Sequence, residues 1–468
     1  MTQERSESLV WTGRSACDAI SDIRSGHLSP VDVMEETIAR IEHIEPQVNA
    51  FTSLRLEYAL DRANEIQNQA ANGRPLPPLC GLPLAVKDNS DLAGLPTSGA
   101  STLAQRGIAE ASDPSIAALE DKGAIGIGKT NLSELGGANT TNALFGSTLN
   151  PYDLRLTAGG SSGGTAAALS TGCAYLGHGN DVGGSLRTPA AFCGLFGLRP
   201  TPGLVPRRTG GDAFDTVFVE GPMARTLADL GLTLDAMLTE DNADPFCRGP
   251  AGTYEGFYAA ATSPRPMGRF AFSEDMNILP LENGVRSAFK DGIEKLANQG
   301  VPLEQDTPDV ASLVAHVQVL RSMSYAAHWG HHLPENADAF TKDVYRDISL
   351  GLSQSARTIA HAQRIRTDTF HELRDFFKTY DLLICPTVQV APFPFERAWP
   401  KTICGVQCES YIDWIMITYI WSLVGCPSVA MPVGLNSDGL PLSLQLVGPP
   451  KSEKKLLNAA AFISDILT

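Results

Sequence analysis

Three short apolar segments, LPLAVKD (residues 82–88), AIGIGKT (124–130) and CAYLGHG (173–179), lie between helical or turn-rich stretches. That alternation narrows the choice of folds more than any other feature. A short apolar run bounded by turn signals reads as a buried strand, and strands that recur between helices build an α/β sheet. YDLLICPT (380–387), PSVAMPVG (427–434) and PLSLQLVG (441–448) supply further strands near the C-terminal end. Ahead of the first strand the chain is helical. Ser15 and Ser29 read as N-caps, Pro30 suits a first helical position, and VMEETIARIEHI (33–44) carries apolar residues at helical spacing. Another helix is expected over about 57–71, ending near Gly73. Ser312 to Tyr380 reads mostly as helix. With no internal repeat or low-complexity linker, the expectation is one domain over residues 1–468, with a mainly helical insertion at about 312–380 whose flanking strands share one sheet.

Composition bounds the function. Of the 468 residues 43% are hydrophobic, enough for a sizeable core, and the formal charge is −16. Nucleic acid and anionic membranes both need a basic face, so neither is expected as a partner. A small molecule is. The nine cysteines are scattered and odd in number, which reads as reduced thiols and a cytoplasmic location. Only Cys404 and Cys408 are close, and no further ligands follow at zinc spacing, so no metal is expected. MTQERSESLV has no apolar signal segment. The uncharged run from Trp414 to Leu435 is long enough to cross a bilayer, but Gly425, Pro427 and Pro432 break it. A helix ending near Val424 followed by a buried strand is the better reading.

Two motif matches fail on context. GAIGIGKT (123–130) fits the phosphate-loop pattern, yet a helical stretch precedes Gly123 and the motif's own interior is strand-like. GSSGG (160–164) fits the nucleophile-elbow pattern with Ser162 at its centre, but that elbow follows a buried strand, and NPYDLRLTAG is polar and turn-forming. His178 nearby reads as a packed or surface histidine.

What remains is serine set in glycine twice within residues 157–188, as GGSSGG and DVGGS. Glycine lets consecutive backbone N–H groups converge on a developing oxyanion, so a hydroxyl placed there suits acyl transfer. Ser185 is the candidate nucleophile, and the amides of Val182, Gly183, Gly184 and Ser185 are candidate oxyanion donors. Lys87, at the end of an apolar strand, is the candidate base. A free lysine ionises near ~10.4 and is neutral about one time in a thousand at pH 7, so burial must lower it by roughly three units at a cost of about 4 kcal/mol. Strand alternation sends Asp88 to the other face, where it does not oppose this.

The motifs GLPLAVKDNSDLAGLPT, GKTNLSELGGANTTNALFGSTLNPYDLRLTAGGSSGGTAAAL, DVGGSLRTPAAFCGLFGLRPTPGLVP and LPLSLQLVGPP stand in order along the chain. In that set the chain resembles the amidase signature family. The resemblance implies a central mixed β-sheet covered by helices on both faces, and a Ser-cisSer-Lys triad of Ser185 as nucleophile, Ser161 as bridging serine and Lys87 as base. It implies a cis peptide before Ser161, an acyl-enzyme intermediate, and a small linear amide or anilide as substrate, with carbamates and ureas as related possibilities. No cofactor is required by such chemistry. A homodimer is compatible with the family.

Some positions depart from the pattern. Asn180 stands where relatives often carry Thr or Ser, and either donates to substrate or braces the loop. Arg187 reads as an anchor for a substrate carboxylate or as a partner for Asp181, the second being preferred, and Ser162 reads as a loop-bracing hydroxyl. The family also includes the A subunit of a tRNA-dependent amidotransferase. TPGLVPRRTGGDAFDTVFVEGPMARTLADL (201–230) lacks that subunit's Tyr-Gly-Arg-Val-Ser version of the region, which favours a stand-alone amidase.

Overall fold

Local signals set the first helices. Ser15 and Ser29 cap Ala16–Ser25 and Pro30–Val48, and Asp18 and Asp32 complete reciprocal capping boxes, which satisfy backbone donors that the helices themselves leave open. Leu56–Ala71 follows, and Gly73, two residues beyond it, takes a φ of +83° that suits glycine. These come from a computed structural model that describes residues 9–137, 139–208, 212–248, 256–265 and 268–467.

Among the described residues eleven strands form one mixed sheet. In chain order they are β1 (Phe51–Leu54), β2 (Pro83–Lys87), β3 (Ile125–Thr130), β4 (Leu176–Asp181), β5 (Phe196–Arg199), β6 (Val219–Ala224), β7 (Phe270–Phe272), β8 (Leu303–Gln305), β9 (Leu382–Pro386), β10 (Ser428–Leu435) and β11 (Pro441–Val447). Side by side they run β1-β3-β2-β4-β6-β5-β10-β11-β9-β7-β8. β2 is parallel to β3 and β4, whereas β4 to β6 and the strands on to β11 and β9 pair antiparallel. β7 is parallel to both β9 and β8.

Alternation assigns residues to the two faces. Leu84 and Val86 join one apolar cluster with Leu176, Val429 and Leu446, while Ala85 between them joins another with Ala166, Ala167 and Ala168 of the helix Gly163–Ser170. Leu382 and Ile384 divide from Leu383 and Cys385 in the same way. Both faces are therefore covered, as the buried, weakly alternating strand sequences require. Lys87, two residues beyond Ala85, falls on the side of the helix Gly163–Ser170.

AIGIGKT is strand β3, preceded by the helix Pro114–Asp121, so its lysine lies within a sheet and begins no helix. Residues 311–379 hold the helices Ala311–Val314, Val317–Trp329, Lys342–Ser353 and Ala356–Thr379, after which β9 rejoins the same sheet. The uncharged run becomes the helix Met416–Leu423 and then β10. Among the described residues no helix is long and apolar enough to cross a membrane.

Candidate active site

Two glycines let a helix lie directly on β4. A Cβ at Gly177 would come within 2.4 Å of Leu169, and one at Gly179 within 2.9 Å of the Ser162 hydroxyl. No larger residue permits that approach. The helix Gly163–Ser170 consequently brings the preceding Ser161 to the ends of β2 and β4, with a cis peptide between Gly160 and Ser161. There the Lys87 Nζ donates to Ser161 Oγ at 2.7 Å and to Asn180 Oδ1 at 2.6 Å.

Lys87 is fully buried. Burial pushes its ammonium down to about 7, against the pull of the Glu220 and Asp181 carboxylates in the other direction. Among the described residues no carboxylate contacts it directly. Asp88 is engaged elsewhere, by Lys129 Nζ at 2.9 Å and by the Ser98 hydroxyl at 2.5 Å. Asn180 is itself held: its Nδ2 donates to Asn89 Oδ1 at 2.7 Å and its Oδ1 also accepts from Asn89 Nδ2 at 3.3 Å. This pairing turns the amide oxygen toward the lysine.

The DVGGS turn is organised by Asp181. Its carboxylate accepts from the amides of Gly184 and Leu186, and from Arg187 and Arg199. Burial acts to raise its pKa, but the two guanidiniums overcome this and hold it far below the usual carboxylate range. The Gly184 N–H is thus spent within the turn, which removes it from the expected donor set and leaves the amides of Val182, Gly183 and Ser185. Gly184 has a φ of +128°, and a Cβ there would strike Thr418 Oγ1 at 2.2 Å. Glycine is required on both counts.

Arg187 is fully buried and donates to Asp181, Thr418 O, Gln445 Oε1 and Ser422 Oγ. Its donors are committed inside the fold, so the substrate-anchor reading is set aside in favour of the Asp181 pairing. Ser162 is buried and reaches the Asn180 carbonyl at 3.4 Å, the bracing geometry expected of it. His178 is buried too, with Nε2 2.9 Å from Glu220.

Ser161, Asn180, Val182 and Ser185 line one cavity of about 390 Å³. Leu135, Phe218, Tyr325 and Trp329 add apolar and aromatic wall, while Arg106, Asp113, Arg208 and Glu220 add charge. Asp113 is pushed up to about 7 by burial and by Glu220, against His178, Arg106 and Lys129. Several of these residues carry no signal in the sequence. Asn89 lies in the turn just after β2, where strand alternation no longer assigns a face. Glu220 faces Asn180 in register across β4 and β6, a pairing that nothing local at either position signals.

Comparison with known proteins bears on the family and the fold. A family model described as Amidase matches residues 32–457. An acylamidase from Rhodococcus erythropolis is 30% identical over 464 residues, covering 97% of this chain and 95% of its own. The glutamyl-tRNA(Gln) amidotransferase A subunit of Alkaliphilus metalliredigens is 32% identical over 94% of each chain. Among solved structures, a bacterial aryl acylamidase of the amidase signature enzymes superposes with a TM-score of 0.88 at 25% identity, over 98% of this chain and 96% of that one. The fold, the ordered motifs and these matches together establish that the chain belongs to the amidase signature family and is a hydrolase of carbon–nitrogen bonds other than peptide bonds.

Proposed function

We propose that the protein is a stand-alone amidase that cleaves a small linear amide or anilide through an acyl-enzyme on Ser185. One observation carries the reading: a fully buried lysine, with no direct carboxylate partner among the described residues and lowered to about 7, holds the Ser161 hydroxyl at 2.7 Å beside the cavity that Ser185 lines. Neutral Lys87 accepts the Ser161 proton as Ser161 accepts that of Ser185, whose oxygen attacks the carbonyl carbon. Negative charge on the tetrahedral intermediate is met by the amides of Val182, Gly183 and Ser185. The relay then runs backward, the leaving amine takes the proton, and water enters to release the acid by the same path.

The aromatic wall of Phe218, Tyr325 and Trp329 supports a planar, apolar group on one side of the scissile bond. The fold likeness to an aryl acylamidase points the same way. The test is turnover of the protein alone on a panel of amides, anilides, carbamates and ureas, followed by mass spectrometry of a slowly released intermediate. Acyl label on Ser185 is expected. Label on Ser162 overturns the site assignment, and a panel showing only ester cleavage removes the amidase reading.

A second reading is favoured by the 32% identity to an amidotransferase component that works within a complex. In that case the protein alone is inactive on the panel, and amide cleavage requires its partners.

A further inference from the structure

Arg321 is buried to 3% exposure in the helix Val317–Trp329, remote in sequence from every family motif. Its Nε donates to Asp347 at 2.9 Å, one terminal nitrogen to the Tyr419 hydroxyl at 3.1 Å, and the other to the Tyr325 hydroxyl at 2.9 Å. The guanidinium carbon also lies 4.5, 4.8 and 5.7 Å from the ring centres of Tyr325, Tyr411 and Tyr419. Tyr411 and Gln318 complete the shell around Asp347.

Both tyrosine arms reach the reaction site. The Tyr325 hydroxyl donates to the carbonyl of Leu135 at 3.0 Å, and Leu135 and Gly136 line the cavity, where a Cβ on Gly136 would sit 3.9 Å from Ser161 Oγ. On the other arm the Tyr419 ring lies flush against Gly183, since a Cβ there would come within 2.4 Å of it. The neighbouring Thr418 hydroxyl donates to the Gly183 carbonyl at 2.6 Å. A planar guanidinium with fixed donor directions thus sets the separation of two walls, one beside the bridging serine and one carrying an oxyanion amide.

We infer that Arg321 is a positioning residue for acyl transfer, acting through Tyr325 on the Leu135–Gly136 wall and through Tyr419 on the backbone at Gly183. The inference rests on the triad reading above. A buried ion pair is weak evidence of stabilisation, because well-packed apolar residues often do as well. What an apolar replacement cannot supply is a common origin for two hydrogen-bonded tyrosines.

Arg321→Met risks misfolding by leaving Asp347 unpaired, so the test uses Tyr419→Phe and Tyr325→Phe, which keep the rings and the ion pair. Each is expected to lower kcat about tenfold with KM within about twofold, the scale of a small displacement of reacting groups. The double variant should lose less than the product of the two, because both act through one guanidinium. Binding of a trifluoromethyl ketone analogue of the best panel substrate should weaken in step with kcat/KM. The acid limb of the pH profile should not move, since Lys87 is untouched. If both single variants keep kcat within about twofold, or lose it only in proportion to lost thermal stability, the inference is overturned. Ser185→Ala and Lys87→Ala assayed in parallel separate the two claims: if they abolish turnover while the tyrosine variants do not, the positioning role alone fails, and if Ser185→Ala stays active, the triad reading fails.

Discussion

Lys87 and Lys129 are both fully buried, on adjacent parallel strands, with Val86 opposite Lys129 and Lys87 opposite Thr130 in register. Their surroundings differ in one respect. Lys129 has the Asp88 carboxylate at 2.9 Å, along with Thr97 Oγ1 and the Pro96 carbonyl. Lys87 has a hydroxyl and an amide oxygen. Burial lowers both ammonium groups, but at Lys129 a contacting carboxylate opposes it, while at Lys87 the opposing charges of Glu220 and Asp181 act without contact. In the mechanism proposed above, a buried lysine serves as a base at neutral pH when it is kept from a counter-ion, and as a structural cation when it is given one.

Exchanging the roles breaks the comparison. Lys87→Ala is expected to reduce kcat/KM by about 10³–10⁴-fold with the fold intact by circular dichroism and thermal melting. Lys129→Met, by contrast, leaves Asp88 buried without its cation and should destabilise by about 3–5 kcal/mol in urea titration, while the folded fraction keeps its turnover. If both variants behave alike, the contrast between base and structural cation fails.

Asn180→Asp gives Lys87 the kind of partner Lys129 has. Wild-type kcat/KM should fall as pH drops through about 7, where Lys87 becomes protonated. In the variant that acid limb should move up by about 1–3 units, and pH-rate profiles read the shift directly.

The same lysine carries a stability signature. Its native pKa lies below its unfolded value of 10.5, so between these values the unfolded chain binds more protons and native stability rises with pH. Relative to Lys87→Met, the wild type should gain about 1 kcal/mol per pH unit from pH 7 toward 10, measured by urea unfolding at fixed ionic strength. A flat difference would mean that the native lysine stays charged. The smallest effect is expected at Ser162→Ala, where loss of one long hydrogen bond to Asn180 should change kcat/KM by less than about tenfold.

The legible part of the site follows from periods. Alternation along PLAVK puts Lys87 on the face of Ala85 and sends Asp88 away, and Asp88 indeed meets Lys129 instead. The pairing of Arg187 with Asp181 lies within six residues of chain and is open to the same local reasoning. The four-amide oxyanion set is not safe to read from glycine spacing, because the turn spends the Gly184 N–H on Asp181. Asp113, Glu220 and the Arg321 hub are invisible in the sequence, since each reaches the site through contacts between elements far apart in the chain.

Sequence by itself determined six of the eleven sheet strands described, the starts of the first two helices, the face that Lys87 occupies and the two glycine-lined turns that hold serine, because these depend on dihedral preferences and periodicity over a few residues. Tertiary structure alone decided that Lys87 meets the Asn180 amide oxygen, that Glu220 stands beside them, and that Tyr325 and Tyr419 share one arginine. The physical reason is that a pKa and a hydrogen-bond network are set by what surrounds a group in space, and for residues 87, 180, 220 and 321 those surroundings are assembled from strands and helices that only the folded sheet brings together.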